Sequence, residues 1–312
     1  MTLHISNLSK RYGNNWVLRD ISLDVKKGTV LGLIGDGASG KSTLLKLLAG
    51  REHPLPASVA SELKNRQITF CEARQPAKWY ELFRSRPDDR GSVLHALQRS
   101  LDSTHDILLL DDPLAGIDRE SRDDHLNRIR QVAAERQLTV IYATSDFETA
   151  AIVADEIAVL AGSYICQTGT AEELYERPAS TIVARVTGRC NIFSARRLTS
   201  TKFDIPEFQT IDGEHRLFAE RSDIAKLGAI NRNVSLAIRP ENISMSFGAS
   251  FPEDNLLKAL VTQIQFLGPV TQVELDASGL VLNALVFRLV GLDVGQECMI
   301  GLPPDRIKVL RD

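Results

Sequence analysis

Gly35-Asp36-Gly37-Ala38-Ser39-Gly40-Lys41-Ser42 decides how this chain is read. It fits the pattern of a glycine, four free positions, then Gly-Lys-Ser, and its flanks fit as well. Ahead of it, Thr29 to Ile34 is a short apolar run of strand type; behind it, Thr43-Leu44-Leu45-Lys46-Leu47-Leu48 reads as a helix. The glycines let the backbone curl until successive N–H groups point inward at phosphate oxygens. The helix N-terminus adds its positive end. In this arrangement Lys41 reaches the β- and γ-phosphates and the Ser42 hydroxyl ligates Mg²⁺. The candidate phosphate-binding set is therefore Gly35, Asp36, Gly37, Ala38, Ser39, Gly40, Lys41, Ser42 and Thr43. A glycine-rich turn without a ligand would leave the Lys-Ser pair with no work to do.

Outward from that loop, buried strand signals alternate with amphipathic stretches. Ile21 to Val25, Ile107 to Leu110, Leu138 to Ala143 and Glu156 to Leu160 read as strands, and Arg119 to Gln137 as a helix. Apolar strands separated by helices indicate an α/β domain with a largely parallel sheet. Past about residue 190 the texture changes. From Val234 to Leu310 short alternating segments recur between Gly268-Pro269, Ser278-Gly279, Gly291, Gly295 and Pro303-Pro304, which reads as a small all-β barrel or sandwich. A chain of 312 residues with 43% hydrophobic content suits two domains. We place the division at 185/186, with residues 1–185 nucleotide-binding and 186–312 all-β.

Composition narrows the class further. Lys and Arg number 37 against 40 Asp and Glu, a net charge of −3, which argues against a protein whose main work is gripping nucleic acid. Cys71, Cys166, Cys190 and Cys298 are widely spaced with no CxxC pair, so neither a disulfide framework nor a zinc site is expected. The opening MTLHISNLSKRY carries charge and no apolar core, unlike a signal peptide. No run approaches the ~18 consecutive apolar residues of a membrane span.

Leu108-Leu109-Leu110-Asp111 supplies the second nucleotide motif, a strand that delivers a carboxylate towards Mg²⁺. From here the sequence resembles the ATP-binding subunits of ABC transporters. Asp111 to Asp118 is similar to the family's catalytic acid and D-loop in succession, and Leu138 to Asp146 to its next strand and switch loop. Asp155 to Leu160 and Gln167 to Pro178 resemble importers of carbohydrates, polyols and related solutes. Val234 to Glu241 and Gly301 to Arg306 resemble their C-terminal OB-like regulatory domain. The resemblance implies an α/β P-loop NTPase domain with a mostly parallel sheet, followed by a small all-β OB-like domain. It also implies ATP and Mg²⁺ as cofactors, with Ser42 and Asp111 as the metal-binding pair. Tyr12 sits where the family places an adenine-stacking aromatic, with Trp16 as the alternative.

Against that resemblance several parts are missing. The family signature, a Gly-Gly pair opening a helix, should fall at residues 87–91, where Pro-Asp-Asp-Arg-Gly stands. Two carboxylates there repel phosphate, and Asp89 reads as an ordinary N-cap. The Q-loop glutamine position holds Ala73, with Gln75 as a displaced candidate, and residues 74–86 are too few for the usual helical subdomain. Asp112 stands for the catalytic glutamate, one methylene short, and a displacement of about 1 Å can cost on the order of 10²-fold in rate. Ser145 occupies the switch-histidine position, and serine is a poor proton acceptor at neutral pH. His95 and His105 flank one expected helix and His125 lies in another, all three read as surface residues, and Arg119 to Arg130 reads as a solvated helix face.

The expectation is a degenerate subunit that binds ATP and hydrolyses it weakly. It would lie peripherally at the cytoplasmic face of the inner membrane, on permease subunits and beside a second, intact ATP-binding subunit. A non-transporting nucleotide-binding regulator with a sensing β domain is the alternative. A nucleic-acid-linked ABC ATPase is opposed by the charge balance.

Overall fold

A computed structural model describes residues 2–52, 66–72, 89–102, 104–202, 205–221, 227, 229–246, 255–287 and 291–310, for 89–93 the backbone alone. Contacts divide the chain into Met1–Glu176 and Arg177–Asp312.

In the first unit, β1 (Leu3–Tyr12) and β2 (Asn15–Val25) form an antiparallel pair. A six-stranded sheet follows, built from β3 (Val30–Ile34), β4 (Ile68–Glu72), β5 (Ile107–Asp111), β6 (Thr139–Thr144), β7 (Glu156–Ala161) and β8 (Tyr164–Gly169). Its order is β4-β5-β6-β3-β7-β8, parallel up to β7, with β8 antiparallel at the edge. β3, β5 and β6 are buried along their whole length, which is why they read as unbroken apolar runs. Alternate residues face opposite ways. Leu31, Leu33, Leu109 and Ile141 pack with β1, β2 and helix α1 (Lys41–Leu48). Val30, Leu108, Leu110, Val140 and Tyr142 pack on the other face. There they meet α2 (Asp89–Asp102) through Leu97 and Leu101, and α3 (Arg119–Arg136) through Leu126, Ile129 and Val132. Two short helices, α4 (Phe147–Val153) and α5 (Ala171–Glu176), also belong to the unit.

The topology sets the site. In an open parallel sheet, ligands bind beyond the carboxyl ends of the strands. The ends of β4, β5, β6 and β3 lie level, with Glu72 opposite Asp111, Asp111 opposite Ala143, and Ile34 opposite Thr144. Whatever follows Ile34, Asp111 and Thr144 therefore converges.

The described residues of the second unit open on α6 (Thr181–Val186), followed by ten strands in two antiparallel five-stranded sheets. One has the order β11-β10-β9-β12-β18, from β9 (Asn191–Arg197), β10 (Glu207–Thr210), β11 (Arg216–Phe218), β12 (Asn233–Ile238) and β18 (Lys308–Leu310). The other has the order β13-β17-β14-β15-β16, from β13 (Ser244–Ser246), β14 (Asn255–Phe266), β15 (Thr271–Ala277), β16 (Leu280–Val286) and β17 (Glu297–Leu302). Both line one core, which includes Phe193, Phe208, Leu236, Val273, Leu282 and Ile300.

By contacts the division falls at Glu176/Arg177, ahead of the expected 185/186, because α6 packs with the β unit. Ala184 packs with Ala237 and Leu310. Arg239, 5% exposed, donates to Ala184 O at 3.0 Å, Arg189 O at 3.1 Å and Thr187 Oγ1 at 2.8 Å. The guanidinium thus satisfies carbonyls at and beyond the carboxyl end of α6, where the helix dipole favours a cation. Among the described residues no helix is long and apolar enough to cross a membrane.

Candidate functional site

Between Ile34 and Lys41 the chain turns through a glycine-dependent loop. A Cβ on Gly35 would stand 2.2 Å from Leu160 O and 2.7 Å from Ser39 Oγ, so no side chain fits there. Gly40 has φ 107°, and Ala38 is left-handed at φ 63°. These turns curl the backbone, and Ser39 N closes the loop on Asp36 O at 3.1 Å. α1 begins directly with Lys41 and carries no acidic residue in its first turn, so its positive end is not neutralised.

Lys41 Nζ lies across this loop, donating to Gly35 O at 2.7 Å, Asp36 O at 2.9 Å and Ser39 Oγ at 3.2 Å. Burial pulls its pKa below the ordinary lysine range, against the opposing fields of Asp111, Asp112 and Asp36. The Ser42 hydroxyl lies near enough to the Asp111 carboxylate to stabilise its charge, which brings the two expected metal ligands together. Burial lifts the Asp111 pKa and the charge of Glu72 adds to it, while Ser42, Lys46 and Lys41 oppose. A hydroxyl and a carboxylate are the hard oxygen donors that Mg²⁺ takes. These residues fit Mg²⁺ and a polyphosphate.

Asp112 adopts a left-handed conformation, φ 47°, and its N–H donates to Ala143 O at 2.9 Å. Burial raises its pKa; the Thr144 hydroxyl donates to it and holds it back, and Asp111 and Asp146 push it further up. Beneath it the Tyr142 hydroxyl is fully buried. It leans towards the Leu114 main chain but meets no partner at hydrogen-bond geometry, and burial together with Asp112 drives its pKa well up. Ser145 is exposed. The next residue, Asp146, caps α4 by accepting from Glu148 N at 3.3 Å and Thr149 N at 3.2 Å. Asp118 caps α3 in the same way, through Ser121 N at 3.0 Å. Arg122 Nη1 lies 3.5 Å from Asp146 Oδ2, and Arg119 pairs with Glu148, so the loops after β5 and β6 are tied together. The Arg119–Arg130 face is thus only partly solvated.

Tyr12, at the end of β1, keeps 48% of its surface exposed. Its hydroxyl donates to Glu52, and that bond, with burial and the Glu52 charge, raises its pKa. Burial works to raise Glu52, but the hydrogen bonds from Tyr12 and Lys10 outweigh it and hold Glu52 below the ordinary carboxylate range.

The sequence profile of the ABC transporter family matches residues 18–94, and that of the TOBE domain matches residues 236–310. The sulfate/thiosulfate import ATP-binding protein of Bacillus cereus is 29% identical, over 89% of this chain and 88% of that protein. The maltose/maltodextrin import ATP-binding protein of Photorhabdus laumondii is 28% identical, over 100% and 95%. A sulfate/thiosulfate import ATP-binding protein of Synechocystis is 31% identical, over 62% of this chain and 67% of that protein. The chain belongs to the ATP-binding subunits of ABC transporters. Its fold is accordingly the ABC ATPase domain followed by a C-terminal all-β TOBE domain.

In this ABC subunit the structure gathers Gly35 to Thr43, Asp111, Asp112 and Ser145 at the carboxyl ends of β3, β5 and β6, with Tyr12 linked beyond the phosphate helix to Glu52. The Q-loop candidates Ala73 and Gln75 lie outside the described residues, as do Pro87 and Asp88. Asp89, the first described residue after that stretch, is itself helical and so is not the residue before the helix. Of the histidines, His95 lies exposed within α2 instead of flanking it. His125 is half-buried against Ser121 O at 2.6 Å. His105 is half-buried with an unpartnered Nδ1, contrary to its expected surface position.

Three residues escaped the sequence reading. Glu72 ends β4 directly opposite Asp111, with Lys46 at 3.4 Å. Thr144 orients Asp112, and Glu52 holds Tyr12. The strand end after Cys71 is the one local signal that could have pointed to Glu72. The other two pairings join distant parts of the chain.

Proposed function

We propose that the chain is the nucleotide-binding subunit of an ATP-driven ABC importer, one that binds MgATP and hydrolyses it poorly. The observation that carries this reading is the Gly35–Ser42 loop, with Lys41 across it and Ser42 near Asp111. The loop N–H groups and the α1 N-terminus would hold the phosphates, Lys41 would meet the β- and γ-oxygens, and Ser42 with Asp111 would hold Mg²⁺. Mg²⁺, when bound, neutralises phosphate charge. Tyr12 would offer its ring to the base.

Weak turnover follows from two positions. Asp112 is short by one methylene, and the loss from about 1 Å of misplacement is on the order of 10²-fold. Ser145 cannot serve as a general base at neutral pH, a further loss of about 10²-fold, and the two losses need not combine fully. The named relatives are import ATP-binding proteins for sulfate/thiosulfate and maltose/maltodextrin, which supports import. Residues 167–178 and 234–241 favour a sugar, a polyol or a similar small solute. ABC subunits act as head-to-tail dimers, and the Pro-Asp-Asp-Arg-Gly stretch at 87–91 makes a poor cap for a facing nucleotide. We therefore place the chain beside an intact ATP-binding subunit on a permease, peripherally at the cytoplasmic face of the inner membrane. The short stretch between Glu72 and Asp89 favours a second reading, a non-transporting regulator.

Equilibrium binding of MgATP to the full chain and to Lys41→Ala tests the core of the proposal. Loss of the Lys41 ammonium should weaken binding at least tenfold; equal affinity contradicts it. Recovery with permease and an intact ATPase subunit supports the importer, and a stable permease-free homodimer supports the regulator.

A further inference from the structure

We infer that Glu52 is a positioning residue for nucleotide binding, holding the Tyr12 ring at a fixed distance from the phosphate loop. The inference rests on the reading of Tyr12 as the base platform. Tyr12 belongs to the β1–β2 pair, which is not part of the six-stranded sheet that carries the phosphate loop. Left to the strand alone, its ring position relative to that loop would follow every flexing of the β1–β2 pair. A hydrogen bond removes that freedom. The Tyr12 O–H donates to Glu52, just beyond the last turn of α1. The phenol is therefore fastened to the helix that the phosphate loop leads into.

Lys10 completes the support. Its Nζ lies 3.2 Å from Glu52 Oε2 and 5.0 Å from the Tyr12 ring centroid. Glu52 thus holds the ammonium against one ring face and leaves the other to a base. A flat base attached to a triphosphate spans the interval between this platform and the loop, and a platform at fixed spacing binds it with less ordering cost than a loose one. The device recognises the presence of a base, not its hydrogen-bonding edge. The ligand class is a nucleoside triphosphate with a strongly stacking base, and a base-free triphosphate gains nothing from it.

The full chain, with Glu52→Ala, Glu52→Gln, Tyr12→Phe and the double variant Glu52→Ala/Tyr12→Phe, is titrated with MgATP and with Mg-tripolyphosphate. Glu52→Ala and Tyr12→Phe should each weaken MgATP about tenfold, the scale of a hydrogen bond to a charged group. Tripolyphosphate affinity should stay within about twofold of wild type. The double variant should be no weaker than either single one, since both delete the same bond. Glu52→Gln, which still accepts the phenol proton, should recover most of the loss. Unchanged MgATP affinity in Glu52→Ala, equal weakening of both ligands, or additive losses overturns the inference. Wild-type chain that binds neither ligand, or that ignores Lys41→Ala, overturns instead the nucleotide reading on which it rests.

Discussion

Gly35→Ala gives the sharpest structural perturbation of the phosphate loop. The new methyl would stand 2.2 Å from Leu160 O and 2.7 Å from Ser39 Oγ. Leu160 cannot yield cheaply, because β7 is paired on both sides, Val159 with Ile34 and Leu160 with Ile165. The loop itself must move by about 1 Å to restore ordinary contact, an overpacking cost of about 1–3 kcal/mol. For a unit of this size that lowers Tm by roughly 2–12 °C. Nucleotide binding should suffer more, since the displaced segment supplies the inward N–H groups. Wild-type chain at MgATP a hundredfold above Kd should gain about 2.7 kcal/mol, and the variant should lose most of that gain. Gly37→Ala is the control. Nothing lies within 4 Å of its added Cβ, so its melting without nucleotide should match wild type. Differential scanning fluorimetry with and without MgATP reads both quantities. A Gly35→Ala chain that melts like wild type and keeps the full MgATP shift refutes the packing argument.

Other outcomes follow from the same geometry. The Asp111 and Asp112 pKa values lie above their unfolded values, so the fold favours the protonated forms. That stabilisation is complete below about pH 4, the unfolded aspartate value, and is lost as pH rises through the raised values. In metal-free buffer, Asp112→Asn should therefore raise Tm at neutral pH and give no gain near pH 4; a gain equal at both pH values contradicts the assignment. Arg239→Ala leaves Ala184 O, Arg189 O and Thr187 Oγ1 without their shared donor, and should cost about 3 kcal/mol in denaturant unfolding of the β unit. Insensitivity to it would show that α6 is held by its apolar packing alone. Asp112→Glu with Ser145→His should raise phosphate release at least tenfold if those two positions limit turnover. No gain would shift the limitation to the segment around residues 87–91.

The phosphate loop and the strands flanking it were legible because their signals are local. An apolar five-residue run buried on both faces, such as Val30–Ile34, can be read without knowing its neighbours. Arg119–Arg136 matches the helix expected over 119–137 to within a residue, since Asp118 caps it and left-handed Gln137 ends it. The boundary between units was not legible. Arg239 reaches α6 from more than fifty residues away, and only the folded chain shows that Thr181–Val186 belongs with the strands. β9 was equally hidden, because its partner β12 begins at Asn233 and Arg196-Arg197 breaks its apolar alternation. At the site, each residue the sequence concealed acts across the sheet or between motifs. Glu72 meets Asp111 through strand register, Thr144 meets Asp112 across adjacent strands, and Glu52 meets Tyr12 forty positions away. Motif spacing carries none of these.

On the function proposed, this ABC subunit keeps the binding half of its chemistry and has lost most of the hydrolytic half. Steady-state phosphate release by the purified chain, at MgATP concentrations where equilibrium binding is saturated, tests it most directly. The expected result is saturable, Lys41-dependent binding with turnover indistinguishable from a Lys41→Ala control. Brisk phosphate release that Lys41→Ala abolishes would contradict the claim.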